Sequence, residues 1–231
     1  LFTWRKKTVG NRAVLVGINA YPIAPLAGCV NDVHSMKQLL MSKYGFAEDN
    51  IRIILDRDAT KEKILEALGW LVQTDPGHVA YFHYSGHGAQ VPTDDPGEKD
   101  GLAEIICPVD FDWTPEHYIT DKEFVRVFSN INKQTAFYWC SDSCHSGNLD
   151  RTMPQSGRKE RAMPLPPELK AKVASAKKRR AHARSMTEGA LDVGFMSGCR
   201  ADQTSADTFI HGRPCGAFTW FLSKALQKLP R

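Results

Sequence analysis

No run of about 18 apolar residues occurs in this 231-residue chain, so no bilayer-spanning helix and no membrane partner are expected. Cysteine is sparse, with six residues (29, 107, 140, 144, 199 and 215) and no short, regular spacing among them. That excludes the disulfide-dense framework of a small secreted domain. It implies reduced thiols in a cytoplasmic compartment, several of them buried as small apolar groups. Aromatic residues are missing where positive charge is concentrated. Residues 151–185 hold eleven Lys/Arg against two Glu, a local balance of +9, whereas the rest of the chain is at −5. A nucleic-acid surface would interleave stacking aromatics with such charge, so the expectation is a solvated, mobile loop and no nucleic-acid partner. No internal repeat is apparent.

What is present has the hydrophobic and charged content of a soluble globular protein and the length of one large domain. Residues 13–18 (AVLVGI) form a near-continuous apolar run, the mark of a strand buried on both faces. Residues 30–44 carry apolar or small groups at helical spacing, and 51–55 read as a strand. The Asp58-Ala-Thr60 stretch can cap a helix over 61–74, whose apolar face is Ile64, Leu65, Leu68, Leu71 and Val72. Strands are predicted at 79–84, 135–140 and 192–197, and helices at 119–130 and 217–229. Residues 91–101 (VPTDDPGEKDG) read as an acidic loop, and 151–190 as a long excursion with one exposed helical stretch. Alternation of this kind gives an α/β fold with a mainly parallel central sheet and helices on both faces. Ligands of such sheets sit beyond the carboxyl ends of the strands.

Two of those strand ends carry unusual chemistry. Residues 79–84 run into Ser85-Gly-His87-Gly, and 135–140 run into Ser141-Asp-Ser-Cys144-His-Ser-Gly. His83/His87 and Cys140/Cys144 are each four apart, which raises a metal site or a redox pair. Both pairs straddle a strand end, however, where residues four apart lie about 13 Å from each other, and CxxxC is not the tight spacing of structural zinc. A nucleophile asks for less. If the strands are neighbours, His87 meets Cys144, and a thiol needs such a base to become a thiolate near neutral pH. Gly86 and Gly88 let the backbone bend there. The backbone N–H groups of Gly88 and Cys144 could hold the oxyanion of a tetrahedral intermediate. No third residue that would orient His87 is evident. His145 points the wrong way along the chain to serve as the base, and Cys140 reads as a buried strand residue.

HYSGHGAQ (83–90) and DSCHSG (142–147) resemble the two catalytic signatures of the metacaspases, type I or prokaryotic, within the caspase-like cysteine peptidases. AVLVGIN with GCVNDV, DGLAEIICPVDF, and SGCRADQTSAD with GAFTWFL extend the resemblance over nearly the whole chain in the family's order. The QAC-x-G string of animal caspases is absent. The resemblance implies a caspase-like three-layer sandwich and a cysteine endopeptidase cutting protein or peptide substrates after Arg or Lys. It implies a Cys144–His87 dyad and no organic cofactor. It also implies an acidic pocket for the basic side chain, formed by Asp32, Ser85 and Asp142; paired carboxylates suit a guanidinium through charge-assisted, bidentate hydrogen bonds. The organisation it implies is one peptidase domain: a large-subunit-like part (1–150), the basic linker (151–190) and a small-subunit-like part (191–231). Self-cleavage is expected within that linker, while oligomeric state is left open.

Many metacaspases need calcium at aspartate sites. This chain has Ala103 where the family usually shows Asp, and Thr120-Asp121 where it shows paired Asp. Asp94, Asp95, Glu98, Asp100 and Asp121 are the remaining weak candidates, and loss of carboxylates should make calcium weakly required or dispensable. The alternative to an enzyme is a catalytically silent protein that uses this fold for binding or assembly.

Overall fold

The computed structural model of the chain describes residues 10–98, 101–144, 158–179, 194–198 and 205–230. In the central sheet lies β1 (Arg12–Gly17), all six residues of which are buried, as the apolar run requires. It is flanked by β2 (Ile51–Leu55) and β3 (Val79–Ser85). Next to β3 lies β7 (Ala136–Asp142), and next to β7 lies β9 (Gly194–Ser197). The order is β2-β1-β3-β7-β9, with every pair parallel.

Helices cover both faces, giving the expected three layers. On one face α1 (Cys29–Tyr44) and α5 (Ala217–Lys228) pack Val33, Met36, Leu39, Leu40, Phe218 and Leu222 over Leu15, Tyr81 and Cys140. On the other, α2 (Lys61–Leu71) and α3 (Asp121–Phe128) close a core rich in aromatics, where Phe82, Phe124, Phe128 and Trp139 meet at centroid distances of 4.7–6.0 Å. Offset and tilted pairs of this kind add to the stabilisation from area burial.

Element ends differ from expectation for local reasons. The second helix stops at Leu71, not 74, because the Thr74 backbone and hydroxyl both donate to the Leu71 carbonyl and close the turn. Its start is as expected, with Thr60 accepting from the Lys63 N–H. The third helix begins at Asp121, not 119. Thr120 and Glu123 form a reciprocal capping box there, and Ile119–Thr120 is instead a short strand, β6.

Six strands among the described residues escaped the sequence reading, one of them in the basic linker. Residues assigned to the acidic loop begin inside β4 (Gly88–Pro92), which pairs antiparallel with β5 (Leu102–Ile106), and β6 completes that small sheet. Near the end of the chain, β10 (Ala206–Ile210) and β11 (Arg213–Gly216) form a hairpin. Its two loop residues, His211 and Gly212, both have positive φ (51° and 76°), the geometry that matches strand twist in a two-residue turn.

The basic linker departs furthest from expectation. Residues 159–160 form β8 (Lys159–Glu160), antiparallel to β10, and Arg161, Ala162 and Met163 are all buried. A helix, α4 (Pro167–Arg179), follows; as expected most of its described side chains are exposed, and it packs on β4 through Val173, buried against Leu102. The solvated-loop reading is therefore wrong for this part of 151–190.

Candidate active site

Strands β3 and β7 are neighbours in parallel register, and Ser85 sits opposite Asp142 at their carboxyl ends. Two residues beyond each end stand His87 and Cys144, 1% and 0% exposed. His87 occupies the two-residue corner, Gly86-His87, between β3 and β4. Only glycine fits at 86, since a Cβ there would lie 2.6 Å from the Tyr21 hydroxyl and 2.7 Å from that of Tyr84. Those hydroxyls hold the histidine backbone: His87 N–H donates to Tyr21 Oη at 2.9 Å, and Tyr84 Oη–H donates to the His87 carbonyl at 2.8 Å. The Tyr21 ring lies 4.6 Å from the imidazole.

The imidazole does have an orienting partner, which corrects the expectation of none. Its Nε2 lies 2.7 Å from the Ala24 carbonyl oxygen, and since a carbonyl only accepts, Nε2 carries the proton and Nδ1 the lone pair. Ala24 itself has φ 58°, an unusual conformation for a non-glycine residue, which turns this carbonyl toward the histidine. Burial pushes the His87 pKa down to about 4, opposed by the carbonyls of Ala24 and Arg161. A backbone carbonyl leaves no residue-type signature, so sequence could not have named it.

The pocket residues converge on one guanidinium, that of Arg161 from the linker. Its Nη2 lies 2.8 Å from Asp32 Oδ2, and its Nη1 lies 2.6 Å from Ser85 Oγ and 3.2 Å from Asp142 Oδ2. A second contact of Nη2 is Asp207 Oδ1 at 3.0 Å. The arginine is completely buried, and among the described residues only its Nε lacks a partner. At the same time the Arg161 carbonyl accepts from the Cys144 N–H at 3.0 Å and from the Gly88 N–H at 3.1 Å. The two groups expected to bind an oxyanion thus both bind the carbonyl of the residue whose side chain fills the acidic pocket.

The carboxylates are themselves held. Asp32, in the first turn of α1, accepts from the Gly216 N–H at 2.9 and 3.1 Å. Asp142 accepts from the Thr219 N–H at 2.9 Å, from the Thr219 hydroxyl at 2.7 Å and from the Ser205 hydroxyl. Asp207 accepts from the N–H groups of Ala27 and Gly28 at 2.8 and 2.9 Å. Burial raises the Asp32 pKa to about 6, with Arg161 pulling it down and Asp142 pushing it up.

Asp207, Ser205, Gly216, Thr219 and the linker's Arg161 were missed as site residues. SGCRADQTSAD holds Ser205 and ends on Asp207, and GAFTWFL begins on Gly216 and holds Thr219, so the family strings contain four of them. Nothing in a linear pattern brings residue 207 beside residues 32 and 142.

Other candidates fall outside the site. Cys140 is buried in β7, its thiol pushed up to about 12 by burial, as a strand cysteine should be. His83, opposite it in β3, is completely buried with both ring nitrogens unpartnered among the described residues and its pKa lowered by desolvation to about 4. His145 and Asp100 lie outside the described residues. Of the weak calcium candidates, Asp95 and Glu98 pair with the Lys122 ammonium at 2.5 and 3.3 Å. Asp121 is buried with its pKa raised to about 6, by desolvation first and then by Glu98 and Glu104. Among the described residues no three of His, Cys, Asp or Glu are grouped to hold a metal ion.

Comparison with known proteins agrees with the geometry. The family profile described as metacaspase, peptidase C14 domain, matches residues 11–151. Metacaspase-1A of Aspergillus terreus is 32% identical over 100% of this chain and 66% of its own length. Metacaspase-1 of Cryptococcus neoformans is 33% identical over 100% of this chain and 58% of its own. Metacaspase-9 of Arabidopsis thaliana is 30% identical over 94% of this chain and 83% of its own. The chain thus spans less than two thirds of the two fungal relatives. The crystal structure of a Geobacter sulfurreducens protein superposes with a TM-score of 0.68, covering 94% of this chain and 82% of that one at 24% identity, which shows a shared fold. The profile match and the relatives' identity along the chain place it in one group: it belongs to the metacaspase family of caspase-like cysteine peptidases.

Proposed function

We propose that the chain is a cysteine endopeptidase that cuts after Arg or Lys through a Cys144–His87 dyad, and that it cuts its own Arg161–Ala162 bond. The observation that carries this reading is Arg161, with its guanidinium among Asp32, Asp142, Asp207 and Ser85 and its carbonyl on the N–H groups of Gly88 and Cys144. That is how a substrate would lie before attack.

In the reaction, Nδ1 of His87 takes the Cys144 thiol proton and the thiolate adds to the Arg161 carbonyl carbon. The oxygen, now negative, stays on the two N–H groups that already hold it. The C–N bond then breaks while His87 returns the proton to the nitrogen of Ala162. Water, deprotonated by the same imidazole, adds to the thioester, and the acid leaves as the thiol re-forms. The neutral, Nε2-protonated imidazole fixed by Ala24 is the form this sequence requires. Lysine would meet the same carboxylates as a point charge without the bidentate fork, so Arg is expected to be the better residue.

Short fluorogenic peptides ending in Arg, Lys or Asp test the reading. Turnover is expected for Arg, less for Lys and none for Asp, with loss of at least a thousandfold in Cys144→Ala. Turnover after Asp, or full activity in Cys144→Ala, would overturn it. Calcium is proposed to be dispensable, with the Lys122 ammonium supplying positive charge between Asp95 and Glu98. Peptide turnover is expected to survive a calcium chelator; activity lost to chelation and restored by Ca²⁺ would refute this.

A further inference from the structure

The segment that fills the site continues past Arg161, and its downstream half is held by the same strand end. The Gly88 N–H donates to the Arg161 carbonyl at 3.1 Å, and the Met163 N–H donates to the Gly88 carbonyl at 2.9 Å. Ala162 therefore lies opposite Gly88 as a parallel bridge. Ala162 is 9% exposed and Met163 is 6% exposed, whereas Pro164 is exposed. Met163 belongs to the apolar cluster that includes Ala89, Val91, Ala103 and Ile105 of the β4–β5 hairpin.

We infer that the groove has a built downstream side: a tight subsite for a small residue directly after the cut, and an apolar subsite for a large aliphatic residue one position further. Preferred protein substrates accordingly carry Arg or Lys, then a small residue, then Met, Leu or a similar side chain. This rests on the proposed cleavage after Arg161. Two backbone hydrogen bonds to Gly88 fix the register, so the side chain at the position of Met163 must be buried whenever a substrate adopts it. An ionised side chain there would lose its hydration without gaining a partner.

Internally quenched peptides based on GRKERAMPLP separate the two ideas, since the residue before the cut and the second one after it are varied independently. With Arg before the cut, Met or Leu at the second position after it is expected to exceed Asp by roughly tenfold or more in kcat/KM. Equal values for Met and Asp would overturn the apolar subsite while leaving the Arg preference intact. Loss of preference for Arg over Asp before the cut would instead sink the reading beneath it. In the full chain, Met163→Leu is expected to process at the wild-type rate and Met163→Asp at least tenfold more slowly. If Met163→Asp fails to fold, the peptide series decides. Wild-type processing by a folded Met163→Asp chain would contradict the inference.

Discussion

At the scale of single residues, the proposed specificity rests on carboxylates that must stay charged while buried. Asp32 shows the cost, because burial raises its pKa to about 6 even with Arg161 beside it. The folded protein therefore binds more protons than the unfolded chain between the ordinary carboxylate value of 3.8 and about 6. The contribution of this group to stability is present at low pH and is lost as pH rises through about 6. For substrate binding the sign is opposite, since a protonated Asp32 gives up its charge-assisted contact with the guanidinium. With Arg161 gone from the pocket, one influence that lowers this pKa is gone as well. We expect kcat/KM for an Arg peptide to fall with decreasing pH on a limb that lies above about 6, largely through KM. Asp32→Asn should weaken binding at pH 7.5 and flatten that limb. A limb that Asp32→Asn leaves unchanged would assign it to another group.

At the scale of elements, the amino end of α5 organises the pocket. Gly216, its cap, donates to Asp32, and Thr219 donates twice to Asp142, so backbone donors at a helix N-terminus meet both carboxylates. A Cβ at 216 would lie 2.6 Å from Arg161 Nη1 and would also collide with Asp142. Gly216→Ala is expected to reduce Arg-peptide turnover and self-cleavage at least tenfold while the protein still melts cooperatively. Unchanged kinetics would mean that the pocket is not shaped as described. This element also marks how far the sequence could be read. The parallel strands were legible because strands covered on both faces must be apolar along their whole length, as AVLVGI is. The helices were legible from their stripes, and α2 from Thr60. The antiparallel strands were not: Gly88-Ala-Gln-Val-Pro92 and Arg213-Pro-Cys-Gly216 contain the residues that punctuate loops. Cys144, His87, Gly88, Asp32, Ser85 and Asp142 could be named from strand ends and a resemblance. Asp207 and Arg161 could not, because their role depends on a hairpin and a linker folding back from distant parts of the chain.

At the scale of the whole molecule, the basic linker packs on the site and is, in the proposed function, also its substrate. It lies against the buried Cys144, whose N–H donates to the Arg161 carbonyl, and it places in the pocket one arginine among the many basic residues of 151–185. The charge excess of that segment says nothing about which arginine is used; the β8–β10 pairing and the contacts of Gly88 select Arg161. Removing the guanidinium would leave three buried carboxylates facing one another, a change that typically costs about 3–5 kcal/mol when a buried ion pair loses one partner. The most direct measurement is therefore the intact mass and new amino terminus of the purified chain, for wild type, Cys144→Ala and Arg161→Ala. Wild type should yield fragments 1–161 and 162–231 with a new terminus at Ala162, and neither variant should be cut there. A terminus elsewhere in wild type that persists in Arg161→Ala, or cutting at Ala162 in purified Cys144→Ala, would contradict the central claim.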